Sequence, residues 1–429
     1  MKKRLAALLA AVMLLVCSCA GQSSSSSAPS SAASDGGTSQ TGQPPRQLEL
    51  EEMKNLITEK AGAQGLTDAM LAEGLSPTGN HGRIAAAIRK SLAGEPVTLG
   101  VIGGSITEGT ASSAAENSYA GQFKTWWETL FPGGEVTLVN AGKGATGSLI
   151  GAHRVEEDLL AHQPDVVIVE YAVNDGNGER DQMAYESLLR RILKAENQPG
   201  VLLLFTMKED GTSVQRNQSK IGQHYDVPMV SYRNAVYPAV EDGRIPWTEI
   251  SPDGIHPNDK GHAMIGVLLA NYLVSVYEKL DSLSADGYVL PEPLVGDAYE
   301  NGILYTNKNL EELQAGSFMR QVNSFYQFPY GWKAVGGSEA IEFEIPECRE
   351  LYLLTLRLDD PNAGIAEVTV EGETVKTTEL QQNYPGLTYQ YADPLLVYTG
   401  VNPGTVRVTV RLKAPADTDY FTLLGFLAS

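Results

Sequence analysis

Val97-Thr98-Leu99-Gly100-Val101-Ile102-Gly103, running directly into Gly104-Ser105-Ile106-Thr107, decides how the chain folds. The run is mostly β-branched and lacks strict alternation, which describes a strand buried on both faces, and the paired glycines let the backbone turn sharply out of it. Three runs of the same kind follow: VTLVNA from Val136, DVVIVEYAV from Asp165 and VLLLFTM from Val201. Amphipathic stretches such as SYAGQFKTWWETLF and YESLLRRILKAE lie between them. That alternation predicts an α/β fold from Pro96 to about Leu280, a parallel sheet covered by helices on both faces. Upstream, helices are expected over about Leu48–Ala63 and Gly82–Leu92, the second with Ile84, Ala87, Ile88 and Leu92 on one face.

From about Leu290 the periodicity changes. Ile341, Phe343 and Ile345, then Val368 and Val370, then Val406, Val408, Val410 and Leu412 recur at every second position, with Arg407, Thr409 and Arg411 between the last four. Half-buried antiparallel strands read this way, so residues 290–429 are expected to form an all-β sandwich or jelly roll. The boundary falls between Ser282 and Leu294, and residues 48–284 make up the α/β part with its N-terminal helices.

At the other end, Lys2, Lys3 and Arg4 precede the apolar run LAALLAAVMLLV, too short for a membrane span and suited to a secretory signal. Val16-Cys17-Ser18-Cys19-Ala20 resembles a bacterial lipobox, in which a small residue precedes the acylated cysteine; Cys19 fits better than Cys17, which follows the bulky Val16. Residues 1–19 therefore read as a lipoprotein signal, and the Ser/Gly/Pro-rich residues 20–47 as a flexible tether. The expected location is extracytoplasmic, held to the membrane through the lipid anchor only.

Composition excludes several functions. With 52 Asp+Glu against 32 Lys+Arg the formal charge is -20, which repels phosphate backbones, so nucleic acid is not an expected partner. Cys17, Cys19 and Cys348 are the three cysteines, two of them in the leader, which leaves no disulfide framework or cysteine-rich zinc site. Cys348 reads as a small buried apolar residue.

Four short blocks sit where a predicted strand gives way to a loop or helix, the edge at which open parallel sheets bind ligands. Gly103-Gly104-Ser105-Ile106-Thr107 presents a hydroxyl. The glycine-rich Asn140–Gly147 loop offers backbone N–H groups that can approach a ligand. Ala172-Val173-Asn174-Asp175 offers a side-chain amide able to stabilise an oxyanion. In Asp253-Gly254-Ile255-His256 a carboxylate three residues before a histidine can fix one ring nitrogen and leave the other as a base. Taken singly, each block also suits an ordinary turn or helix cap.

In this order and spacing the blocks resemble the SGNH (GDSL-type) hydrolase superfamily over roughly Gly82–Leu280. The resemblance implies a flavodoxin-like three-layer α/β/α fold with Ser105 as nucleophile, His256 as base and Asp253 as orienting acid. It further implies an oxyanion hole made by the Ser105 N–H, the Gly144 N–H and the Asn174 side chain. Where the family name expects Gly-Asp-Ser, Gly104 precedes Ser105, as in a Gly-Gly-Ser-Ile-Thr subgroup of secreted bacterial esterases. In the second block Gly144 lies one residue earlier than the common spacing, at which Ala145 stands, so either N–H can serve. The implied chemistry is acyl transfer to water, with no cofactor and no metal; His256 and His262, six apart, match no helical ligand pair, and His262 is expected to face solvent or cap the last helix.

Tether, hydrolase core and β-domain together resemble bacterial esterases that remove O-acetyl groups from polysaccharides. Eleven of the nineteen tyrosines lie from Tyr288 onward, Tyr384, Tyr389 and Tyr391 among them. Their rings either offer a carbohydrate platform or fill the β-domain core and its contact with the catalytic part. Phe325, Phe328 and Trp332 are candidates for that contact. A lipase, thioesterase or lysophospholipase would use the same triad, and a noncatalytic surface adhesin is the third class. The expected substrate is an acylated carbohydrate or another small ester, and the catalytic parts are expected to be complete before Leu280.

Overall fold

The computed structural model describes residues 46–76 and 78–429. The signal segment, Cys19 and nearly all of the tether lie outside the described residues. Three helices come first, α1 (Leu50–Gln64), α2 (Asp68–Glu73) and α3 (Gly82–Leu92). Then β1 (Val97–Gly103) leads into the short α4 (Ser105–Glu108) and α5 (Tyr119–Leu130). The winding continues through β2 (Val136–Gly142), α6 (Ser148–Asp158), β3 (Val166–Glu170), α7 (Glu179–Leu193) and β4 (Gly200–Phe205). It closes with α8 (Gln215–His224), β5 (Met229–Ser231), α9 (Tyr232–Glu241), α10 (Trp247–Ile250) and α11 (Asp259–Tyr277).

The five strands are all parallel, in the order β2-β1-β3-β4-β5. Both faces of β1, β3 and β4 are buried, as the unalternating runs required, while the edge strand β2 is half-exposed: Leu99, Val101, Val166 and Ile168 face a core with Ile88, Phe123, Trp127 and Leu268, while Ile102, Val167 and Val169 face Leu149, Val155, Leu188 and Ile192. The winding direction reverses between β1 and β3, so a crevice opens beyond their C-terminal ends.

The C-terminal strands are β6 (Ile303–Tyr305), β7 (Phe318–Val322), β8 (Tyr330–Val335), β9 (Ile341–Arg357), β10 (Ile365–Glu371), β11 (Val375–Gln381), β12 (Tyr391–Leu412) and β13 (Tyr420–Ala428). They form one antiparallel ladder, β11-β10-β12-β9-β13-β8-β7, with β6 on β13. The long β9 and β12 slip register at three irregularities, and such bulges bend strands, so the ladder curls round a single core of Trp332, Ile341, Phe343, Val368, Val408 and Phe426. Cys348 is a free thiol buried in that core.

The second half of β9 is buried on both faces. Leu351 and Leu353 point into the β core, whereas Tyr352, Leu354 and Leu356 join the cluster beneath α6 and α7. Phe325 and Phe328 belong to the same contact, but Trp332 lies inside the β core, since β8 alternates and places it opposite to the contact face. The connecting segment is strapped to the catalytic part: the Glu186 carboxylate accepts the N–H groups of Leu294, Val295 and Gly296 at 2.6, 2.6 and 2.8 Å. Arg190 meets Glu300 at 2.7 Å, both nearly buried. The packing role considered for the aromatic residues is therefore realised at Phe325, Phe328 and Tyr352.

Candidate active site

Ser105 opens α4 directly beyond β1, where a helix has no intrahelical acceptor for its first N–H. The turn leaves no room for side chains before it. A Cβ on Gly103 would lie 2.1 Å from Thr107 Oγ1, and one on Gly104 would lie 2.3 Å from Asn174 Oδ1. The space that an aspartate at position 104 would enter is thus filled by the Asn174 amide.

His256 is delivered by the turn between α10 and α11. The buried Ser251 hydroxyl lies 2.6 Å from the Asp253 carbonyl oxygen and 2.7 Å from that of His256, and Trp247 Nε1 donates to the Asp253 carbonyl at 2.5 Å. Asp253 Oδ1 accepts the N–H groups of Ile255 and His256 at 2.7 and 2.8 Å. Its Oδ2 is 2.8 Å from His256 Nδ1, and His256 Nε2 is 2.9 Å from Ser105 Oγ. Partial burial pushes the Asp253 carboxyl up, but the two N–H donors and the imidazole outweigh it and hold the group below the usual carboxylate range. An ionised Asp253 accepting Nδ1–H leaves Nε2 unprotonated toward the serine hydroxyl, the tautomer a general base needs.

Asn174 projects from the end of β3, next to β1, and its Oδ1 is buried without a hydrogen-bond partner. The neighbouring Asp175 pins this loop to α6 and α8, accepting the Ser148 N–H at 2.7 Å and the Gln218 amide at 3.0 Å. Burial pushes the Asp175 carboxyl up to about 7. Gly144 also lies beside Ser105: a Cβ there would be 3.6 Å from Ser105 Cβ. Its N–H, however, donates to Glu108 Oε2 at 3.0 Å, and the following Ala145 is left-handed with φ 54°. Four of the five residues implied by the resemblance, Ser105, Gly144, Asn174 and His256, therefore line one crevice, with Asp253 behind His256 and the Gly144 N–H engaged by a carboxylate.

Behind them runs a buried polar chain that sequence reasoning passed over. Glu170, at the end of β3, accepts Thr206 Oγ1 at 2.6 Å and Thr107 Oγ1 at 3.2 Å, and Thr107 meets the Tyr119 hydroxyl at 2.8 Å. Burial pushes Glu170 up to about 7, partly offset by the two threonines. Since Thr107 lies on the same turn of helix as Ser105, this network holds the short helix that carries Ser105. His262 is fully buried rather than exposed or capping. Its Nδ1 accepts the Tyr119 N–H at 3.1 Å, and burial pushes its pKa down to about 4. The reason is that α11 is buried along most of its length from Gly261 on, so His262 turns inward while Asp259 and Lys260 stay half-exposed, and Asn258 supplies the cap by accepting the Gly261 N–H.

The crevice is a cleft of about 400 Å³ lined on one side by Ser105, Asn174 and His256, and on the other by Tyr326, Gln327, Tyr389 and Gln390. The second group belongs to the C-terminal part, so Ser105, Asp253 and His256 all precede Leu280 but the walls of the cleft do not. Phe325 and Phe328 anchor the loop that presents Tyr326 and Gln327, and the Lys143 ammonium of the second block lies 4.8 Å above the Phe328 ring. In sequence the only pointer to this loop was the pair of phenylalanines that bracket Tyr326 and Gln327. A larger concavity of about 820 Å³, lined by Glu156, Arg191, Lys194 and Glu300, contains no triad residue.

Residues 101–264 match the GDSL-like lipase/acylhydrolase family. Thioesterase 1/protease 1/lysophospholipase L1 of Escherichia coli (strain K12) is 26% identical over 184 residues, covering 41% of this chain and 83% of that protein. Among solved structures, a two-domain esterase (CEX) active on acetylated mannans, co-crystallized with mannopentaose, is 31% identical with a TM-score of 0.75, covering 84% of this chain and 97% of its own. A second structure of a two-domain esterase (CEX) active on acetylated mannans gives 30% identity and a TM-score of 0.75, covering 84% of this chain and 98% of its own. Because that likeness runs through both the α/β and the β parts, and the family match spans the segment that carries Ser105, Asn174 and His256, the chain belongs to the GDSL-type esterases.

Proposed function

We propose that this protein is a cell-surface serine esterase that removes acyl groups, chiefly O-acetyl, from carbohydrate. The observation that carries the reading is likeness across both parts to a two-domain esterase active on acetylated mannans, together with a cleft walled from both parts of this chain. His256 Nε2 takes the Ser105 proton as Oγ attacks the ester carbonyl. The imidazolium that forms is stabilised by Asp253 and returns its proton to the leaving sugar oxygen. Water then repeats the path on the acyl-enzyme. The Ser105 N–H and the Asn174 amide are the donors assigned to the tetrahedral oxyanion, where one donor contributes on the order of 3 kcal/mol.

Exposed Tyr326 and Tyr389, 70% and 62% accessible at the rim, offer ring faces on which a sugar stacks. The thioesterase and lysophospholipase reading draws support from the E. coli relative, but the rim of tyrosine, glutamine and glutamate here suits a polyol better than an acyl chain. Acylation at Cys19 and the 20–47 tether would hold the enzyme outside the membrane, within reach of polymer. Acetate release measured across acetylated polysaccharides, phospholipids and acyl thioesters tests the reading: preferential release from polysaccharide supports it, and preference for phospholipid or thioester would replace it.

A further inference from the structure

We propose that Glu108 and Gln327 form a hydroxyl-binding subsite beside the nucleophile, which takes a free hydroxyl of the same sugar ring that carries the scissile ester. This rests on the carbohydrate-esterase reading and adds to it how the alcohol portion is chosen. Glu108 is the last residue of the short helix that begins with Ser105. Its carboxylate lines the catalytic cleft and accepts the Gly144 N–H. Gln327 comes from the C-terminal part and is 6% exposed. Its Nε2 lies 3.4 Å from each Glu108 oxygen and 2.8 Å from the Tyr326 hydroxyl, while its Oε1 is buried with no hydrogen-bond partner.

An unpartnered buried acceptor costs free energy unless a ligand supplies the donor. The supply here is one-sided. Glu108 is acceptor-only when ionised and Gln327 Oε1 is a second acceptor, whereas the two Nε2 protons are already turned toward Glu108 and the Tyr326 hydroxyl. A hydroxyl satisfies that arrangement by donating to the carboxylate or to Oε1, and it can accept from Tyr326, whose own O–H proton is left free when its oxygen takes the Nε2 proton. A phosphate or carboxylate would face Glu108 with like charge, and an alkyl group would leave both acceptors unpaired. The pair therefore selects neutral polyol esters against simple alkyl esters and against anionic headgroups. Since Glu108 belongs to the nucleophile's helix and Gln327 to the β part, the choice of alcohol is made where the two parts meet.

The test compares kcat/KM for monoacetylated methyl glycosides, for their deoxy analogues each lacking one free ring hydroxyl, and for 4-nitrophenyl acetate. The enzymes are the full chain, Gln327→Leu and Glu108→Gln, each checked for an unchanged melting transition. In the full chain one deoxy analogue is expected to be about 10- to 100-fold slower than its parent, as for a lost hydrogen bond to a charged group. In either variant that ratio is expected to collapse toward one; the two substitutions give independent readings should one variant fail to fold. Deoxy analogues all cleaved within about threefold of their parents by the full chain, or a ratio preserved in a folded variant, overturns the subsite while leaving the carbohydrate reading in place. No acetate from any glycoside, with 4-nitrophenyl acetate still cleaved, removes the carbohydrate reading and this subsite with it.

Discussion

Asn174 occupies the place where a side chain at Gly104 would be: a Cβ on Gly104 would lie 2.3 Å from Asn174 Oδ1 and 2.7 Å from Nδ2. The turn that carries Ser105 and the Asn174 amide, which we assign to the oxyanion, are thus fitted to each other. Gly104→Ala is expected to displace the amide and lower kcat on small acetyl esters by about 100- to 1000-fold, the usual effect of losing one oxyanion donor. The melting transition should move little by comparison. Wild-type kcat in a folded Gly104→Ala enzyme would mean that Asn174 does not serve the oxyanion.

The hydrogen-bonded chain from Asp253 through His256 to Ser105 predicts non-additive losses. Ser105→Ala and His256→Ala should each reduce kcat by several orders of magnitude, and the double variant should be little worse than either, because the residues act as one unit. Asp253→Asn should be milder, since the amide still holds the ring but favours the wrong tautomer. Independent, multiplying losses would show that the two residues act in separate steps.

Glu170 gives a pH signature. Its carboxyl is raised from 4.5 to about 7 by burial, so the stability gained by keeping it protonated is complete below about pH 4.5 and is lost as pH rises through about 7. Glu170→Gln mimics the protonated acid. It should match wild type at pH 5 and exceed it at pH 8, by an amount on the order of 3 kcal/mol. Denaturant unfolding at the two pH values checks this; an equal difference at both would show that Glu170 is ionised throughout.

Removal of residues 285–429 should leave a protein that aggregates and loses activity on small and polymeric esters together. Truncation strips Leu354, Leu356 and Phe328 from the shared core. It also deprives buried Glu186 of three N–H donors and Arg190 of Glu300, and breaking buried charge pairing from one side is strongly destabilising. A soluble truncated enzyme with full turnover of 4-nitrophenyl acetate would show instead that the β part is an independent module.

Much of this was readable before the fold was known, for identifiable reasons. β1 and α3 have the boundaries expected from VTLGVIG and from the Gly82–Leu92 face, because long periodic runs constrain burial. Val406, Val408, Val410 and Leu412 are all inward, with Arg407 and Arg411 exposed. The three-residue β5 carries too little pattern to be seen. His262 misled because its polarity argues for the surface, whereas the apolar helix on which it rides is buried. Trp332 was misplaced because the contact face of a strand depends on register. The cleft wall of Tyr326, Gln327, Tyr389 and Gln390 depends on how two parts dock, and no local periodicity encodes that.

The central claim is that Ser105 cleaves acyl esters on carbohydrate, and acetate release from an acetylated polysaccharide by the full chain and by Ser105→Ala measures it most directly. Rapid release by the wild type is expected, with the variant at the uncatalysed background though folded. Release by Ser105→Ala at the wild-type rate, or none from any acetylated polysaccharide by a wild type that hydrolyses other esters, would contradict it.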